Sequence, residues 1–254
     1  MRTIKLTISY DGTGYCGWQV QPNGTSVQEL VQRAVAKMTG EGASVVGAGR
    51  TDAGVHALGQ VAHFRTESEI PPAGFARGLG SLLPDDIAVL HAEEASEGFH
   101  AKNSARGKVY VYRIISECKD APLMLNRCWR MPGALDLAGM REGAGRLIGE
   151  HDFESFRASG CTAKDAVRRI ERIDVGEVAA PEIACAGMGR LLEFAFEGNG
   201  FVRHMIRNIV GTLVDVGCGR VAPGDIDAII AARDREQAGR CAPACGLYLV
   251  RVIY

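Results

Sequence analysis

Apolar and polar residues alternate from the start of the chain, with Ile4, Leu6, Ile8 and Tyr10 separated by Lys5, Thr7 and Ser9. A period of two is the pattern of a strand with one buried face, and Gly12 and Gly14 end it. The period then changes. Ser26 followed three residues later by Glu29 has the spacing of a capping box. Val27, Leu30, Val31, Ala34, Val35 and Met38 recur at helical spacing up to Gly40, which predicts a helix over that stretch. Further strands are expected at Gln60 to Arg65 and at Ile87 to Leu90, so the first hundred residues supply several strands with at least one helix to cover them.

A second set of elements begins beyond residue 100. The β-branched and aromatic run from Val109 to Ile115 reads as a strand. Asp136 is placed to cap a helix whose apolar face is Leu137, Met140, Ala144, Leu147 and Ile148, although Gly139, Gly143 and Gly145 weaken it. Strands are predicted at Arg169 to Val175, Leu191 to Glu197 and Leu247 to Tyr254. A strong helix is predicted from Phe201 to Val216, with Phe201, Met205, Ile209, Leu213 and Val216 near one face. The two sets resemble each other in the order of their elements, without a residue-level repeat. Together with a length of 254 residues, this predicts two α/β halves, residues 1–100 and 101–254.

Composition narrows the class. The chain is 46% hydrophobic and 23% charged, enough apolar mass for a sizeable core and unlike a disordered chain. It contains no run of about 18 apolar residues, and its first ten residues alternate like a strand instead of forming a signal peptide's apolar core. The expected location is the cytoplasm. The eight cysteines are scattered, which in that compartment argues for free thiols. Cys241 and Cys245 are the one close pair, and without a second pair or a histidine at ligand spacing they make a poor zinc site. Neither a metal nor a cofactor is expected.

The net charge of −1 lacks the signature of a simple nucleic-acid clamp. Its distribution says more: Gly98 to Ser116 holds no acidic residue but contains His100, Lys102, Arg106, Lys108 and Arg113, with Tyr110 and Tyr112 interleaved. That pattern suits a surface for phosphates and bases, and equally a solvated basic strand. Lys164, Arg168, Arg169 and Arg172 form a second basic cluster with the same two readings.

The chemistry concentrates in Gly47-Ala48-Gly49-Arg50-Thr51-Asp52-Ala53-Gly54-Val55-His56. Small residues at this density point to a tight loop where backbone can approach a ligand. A guanidinium beside a carboxylate holds it ionised, which suits a nucleophile or base and not a general acid. By itself the segment also fits a surface turn with an Arg50–Asp52 ion pair.

This segment resembles the G-R-T-D-A-G-V-H signature of the TruA-type tRNA pseudouridine synthases, and the Gly59-Gln60-Val61 that follows continues the likeness. The resemblance runs along nearly the whole chain, through Tyr10-Asp11-Gly12, Tyr15, Gly17-Trp18-Gln19, Phe99-His100-Ala101, Tyr110-Val111-Tyr112-Arg113, Phe153 to Arg157, Gly200 to Gly211 and Gly246-Leu247-Tyr248-Leu249. It implies an α+β fold in which two ferredoxin-like (RRM-like) halves form a continuous antiparallel sheet, with helices on one side and a central catalytic cleft. It also implies a homodimer that acts on tRNA, isomerising uridine to pseudouridine in the anticodon stem-loop at positions 38, 39 and 40.

The resemblance assigns roles to particular residues. Asp52 is the catalytic nucleophile, Arg207 the arginine that pairs with it, and Tyr110 the ring that stacks on the target base and can take up a proton during product formation. Arg50 fills the space of the flipped nucleotide, and Leu247 walls the uracil pocket. Lys102, Arg106, Lys108 and Arg168 are RNA-contact candidates, as is Arg203. From pattern alone, Arg203 and Arg207 at i and i+4 could form a solvated stripe, and Tyr110 and Leu247 could be plain core. An ionised Asp52 could add to C6 of the uracil, attack C1′, or support elimination through a glycal. Two rival classes remain: a non-catalytic RNA-binding module of ferredoxin-like fold, against which Asp52 with Arg50 and Arg207 speaks, and an aspartate-dependent hydrolase, which would want metal-binding carboxylates or a phosphate loop.

Overall fold

The computed structural model describes residues 1–42, 44–179 and 189–254. The chain is a mixed α/β protein that divides into two compact units, Met1–Lys108 with Tyr248–Tyr254, and Val109–Leu247. No helix among the described residues is long and apolar enough to cross a membrane.

In the first unit, strand β1 (Arg2–Tyr10) lies between β3 (His56–Thr66) and β4 (Ile87–Ala95). Both pairings are antiparallel, with Ile4 opposite Phe64 and Leu6 opposite both Ala62 and Ala92. The alternation read from the sequence is the burial pattern itself: Ile4, Leu6, Ile8 and Tyr10 all point into the core. Helix α1 (Val27–Thr39) starts where Ser26 accepts a hydrogen bond from the Glu29 N–H and ends at Gly40 in the left-handed conformation, φ 74°. One half of the expected capping box is therefore in place, while the Glu29 carboxylate pairs with Arg33 one turn on. Helix α2 (Pro72–Gly80) has no counterpart in the sequence reading, because three glycines depress its intrinsic propensity. Burial of Phe75 and Leu79 holds it in place, each such side chain contributing about 1.5–3 kcal/mol. A two-residue strand, β2 (Val46–Gly47), pairs with β3 and leads into the glycine-rich loop.

In the second unit, β5 (Gly107–Ser116, its first two residues belonging to the first unit) neighbours β9 (Arg190–Gly198), followed by β8 (Val167–Glu177) and β7 (Gly149–Asp152). The short β6 (Trp129–Arg130) runs along β5. Asp136 caps α3 (Leu137–Gly145) by accepting from Ala138 N–H. Helix α4 (Met205–Gly217) buries Met205, Ile209, Leu213 and Val216, and a short α5 (Ile226–Ala232) follows. The helix expected from Phe201 starts four residues later because His204 has φ 63°, a left-handed conformation that an α-helix cannot propagate through.

Strand direction corrects one expectation. The sheet is mixed, not wholly antiparallel: β10 (Leu247–Ile253) runs parallel to β3, pairing Tyr248 and Leu249 with His56 and Ala57, and β6 runs parallel to β5. Parallel neighbours need a long crossover, and the chain between β3 and β10 supplies one.

The described cysteines are free thiols, and Cys185 lies outside the described residues.

Candidate active site

The loop from Gly47 to Val55 joins β2 to β3, and its backbone is fixed from several directions. Trp18 N–H donates to the Thr51 carbonyl at 3.1 Å, Val55 N–H donates to the Asp52 carbonyl at 3.1 Å, and Gly17 forms an antiparallel bridge with Asp52. The Asp52–Val55 bond closes a turn that carries Gly54 at φ 77°, a value glycine adopts without strain. Gly17 has φ 108°, and a Cβ there would sit 2.5 Å from the Thr51 carbonyl oxygen. Only a residue without a side chain lets these two backbones meet.

Side chains complete the support. Thr51 is buried and shares a 2.8 Å hydrogen bond with the Tyr10 hydroxyl, whose pKa burial pushes up to about 12. Gln60 Nε2 donates to the Gly49 carbonyl at 2.9 Å, and the Trp18 indole lies against Gly47, where a Cβ would fall 2.4 Å from Nε1. His56, at the end of the loop, accepts the Gly12 N–H at 3.1 Å and stacks on Tyr248 with ring centroids 4.7 Å apart. Asp52 itself is half-buried, and Arg50 is exposed with its Nε donating to Gln19 Oε1 at 3.3 Å. A carboxylate whose backbone is held this tightly is pre-organised for attack or charge stabilisation.

Lys108 also belongs to this neighbourhood. Its Nζ lies 2.7 Å from where a Cβ on Gly49 would be. Burial, followed by the positive charge of Lys102, lowers its pKa to about 8. Lys102 and Arg106 are exposed, their backbones fixed by bonds from Lys102 N–H to His100 Nδ1 at 3.2 Å and from Arg106 N–H to the Ile253 carbonyl at 2.8 Å.

Within the second unit, Tyr110 is 7% exposed and meets Phe201 edge-on at 5.4 Å. Arg207 is half-buried on the first turn of α4; its Nε donates to the Ala242 carbonyl at 2.7 Å, and Ala242 N–H donates back to the Arg207 carbonyl at 3.1 Å. Segment 240–242 reaches the helix because Gly211 has no side chain: a Cβ there would overlap the Arg240 carbonyl at 1.7 Å. The Tyr112 hydroxyl donates to the Pro243 carbonyl at 2.8 Å, and burial pushes its pKa far above the usual tyrosine range. Gly246 packs on the Tyr112 ring, with a Cβ position 2.6 Å from Cζ, and so aligns Leu247, which is buried.

The second basic cluster is largely charge-balanced. Arg168 pairs with Asp165 at 3.0 Å, Arg169 with Glu171 at 2.8 Å, and Arg172 with Asp174. Exposed pairs of this kind contribute little to stability, and they leave the Arg169 and Arg172 stretch with the character of a solvated face.

Gln60, Tyr112 and Gly211 entered the sequence reading only as members of a strand, of the basic run or of a resemblance, because each acts through a carbonyl oxygen that only folding brings near. Gly17 was noted only as part of a resemblance, and nothing local announced that it meets Thr51.

A family model described as tRNA pseudouridine synthase matches residues 6–102 and 144–254. Among curated proteins the chain is 45% identical over 254 residues to a tRNA pseudouridine synthase A of Ruminiclostridium cellulolyticum, covering 100% of both chains. It is 46% identical over 255 residues to one of Citrifermentans bemidjiense, covering 100% of this chain and 98% of the relative. A relative from Geobacter sulfurreducens is 44% identical over 252 residues, covering 99% of each. With a glycine-backed loop that presents Asp52 and relatives that match it end to end, the chain belongs to the TruA family of tRNA pseudouridine synthases.

Proposed function

We propose that Asp52 is the nucleophilic carboxylate with which this pseudouridine synthase isomerises uridine in the anticodon stem-loop of tRNA, at positions 38, 39 and 40. The observation that carries this reading is the loop itself: Asp52 is half-buried on a backbone pinned at Thr51, Asp52 and Gly49. The reaction needs such a group. The C1′–N1 bond breaks, the uracil turns, C5 bonds to C1′, C5 loses a proton and N1 gains one, so no net oxidation or hydrolysis occurs. A fixed carboxylate serves this sequence whether it attacks carbon or stabilises positive charge at C1′.

In the same reading Arg207 orients Asp52, and its bond to Ala242 supports that role by fixing the guanidinium at Nε. Tyr110 stacks on the base and takes the C5 proton, Arg50 occupies the space left by the flipped nucleotide, and Leu247 walls the uracil. Lys102, Arg106, Lys108 and Arg168 contact the RNA backbone. The two units are taken as ferredoxin-like halves flanking a catalytic cleft, and the protein as a cytoplasmic homodimer.

The test is pseudouridine formation in unmodified tRNA by wild type and by Asp52→Asn, with each product mapped to its position. Wild type is expected to form product on the anticodon arm, with Asp52→Asn slower by at least about a thousandfold. A variant that keeps the wild-type rate would remove Asp52 from the mechanism. Tight RNA binding without product from wild type would favour an RNA-binding module.

A further inference from the structure

Lys108 stands at the start of β5, and its side chain runs across the backbone of Gly49, with Cε 3.4 Å and Nζ 2.7 Å from the position a Cβ would take. The surface beneath the amine is rigid: Gln60 holds the Gly49 carbonyl, and Ala48 N–H donates to the Val61 carbonyl at 2.7 Å. The charged group that acts on Lys108 is another cation, Lys102, and no carboxylate is among its influences. Three carboxylates elsewhere in this unit have partners of their own, Glu93 with Lys5 at 2.9 Å, Glu94 with Arg2 at 3.2 Å and Asp86 with Tyr15. A half-buried ammonium facing a second cation costs free energy in the isolated protein. An arriving anion offsets that cost, and the lack of a Cβ at Gly49 makes the room that the amine itself occupies.

We propose that the Lys108 ammonium, with Lys102 beside it, receives one backbone phosphate of the RNA substrate at the Gly49 edge of the catalytic loop. The inference rests on reading the chain as an RNA-modifying enzyme and adds a positioning role: a phosphate held three residues before Asp52 sets the register of the strand whose base is to react. Lys108 and Tyr110 are two apart on β5 and so leave the strand on one face. The arrangement also couples binding to pH. The free amine titrates at about 8, and a bound phosphate favours its charged form. The contribution is therefore fully present below pH 8 and is lost as the pH rises through that value, where binding must take up a proton.

The experiment measures tRNA affinity, KM and kcat for the full-length wild type, Lys108→Met and Lys102→Met, between pH 7 and 9 and between 50 and 200 mM salt, with thermal unfolding as the folding control. Lys108→Met keeps the aliphatic stem and is expected to weaken binding about tenfold at pH 7. The loss should fall in KM more than in kcat and flatten the salt dependence by about one phosphate's worth of slope. Wild-type affinity should drop between pH 8 and 9 while that of Lys108→Met stays level. Lys102→Met should move the drop to higher pH, because the repelling charge is gone. The proposal is overturned if Lys108→Met binds like wild type, or binds weakly with an unchanged salt slope and pH profile, which would mark a structural role. If no protein forms pseudouridine but the Lys108-dependent slope persists, the phosphate site stands and the catalytic assignment falls.

Discussion

Gly17→Ala isolates the role of the backbone behind Asp52. Two costs arise at this position. At φ 108° an L-residue is strained by about 1–3 kcal/mol. The new Cβ would also lie 2.5 Å from the Thr51 carbonyl oxygen and 3.1 Å from the Asp52 carbonyl carbon, so the two segments must separate. Separation stretches the Trp18 N–H to Thr51 bond, now 3.1 Å, whose loss costs about 1 kcal/mol more. The sum is about 2–4 kcal/mol. It divides between global stability and displacement of the loop, and a shift of about 1 Å in a reacting group lowers the rate on the order of a hundredfold. Urea unfolding and pseudouridine formation, measured on the same preparation, read both shares. Gly14→Ala is the control: that glycine is exposed, has no atom within 4 Å of its Cβ position and is not among the positive-φ residues, so it should change stability by less than about 0.5 kcal/mol. Gly17→Ala with both wild-type stability and wild-type kcat/KM would refute the argument that the bridge holds Asp52 in place.

Other predictions concern stability and the second unit. Burial, then the charges of His100 and Arg65, lower the pKa of His63 from 6.5, and its Nδ1 accepts the Ala101 N–H at 3.1 Å. A histidine whose folded pKa is depressed contributes stability that is full above pH 6.5 and is lost as the pH falls toward the folded value. Urea unfolding between pH 5 and 8 should show this slope in wild type and a shallower one in His63→Gln. Gly246→Ala drives a methyl group into the Tyr112 ring at 2.6 Å and the Arg113 carbonyl at 2.8 Å. It should cost about 1–3 kcal/mol and raise KM by moving Leu247, whereas an unchanged KM would separate Leu247 from substrate binding.

Much of the fold is legible in local pattern. Alternation marked β1, and Ser26 with Gly40 bounded α1, because side-chain periodicity and end-capping are properties of a few neighbouring residues. Helix α2 escaped notice for the complementary reason: its glycines hide a helix that exists because Phe75 and Leu79 find a core. The site divides in the same way. The glycine-rich segment around Asp52 stood out through its own residues, and the basic run from His100 to Arg113 stood out as a candidate phosphate surface.

What the sequence alone determined, then, is most of the elements and the family, with Asp52 as the candidate carboxylate. Tertiary structure decided which groups hold them: that Gly17 meets Thr51, that Gln60 holds Gly49, that Ala242 holds Arg207, and that Tyr248 and Leu249 return from the far end of the chain to pair with β3. It also decided that Lys108, one cation among several in its segment, is the one whose amine lies half-buried over Gly49. Each of these contacts has a backbone group on at least one side, and every residue except proline carries the same N–H and C=O. Side-chain pattern therefore does not encode such a pairing, and only the folded chain selects it.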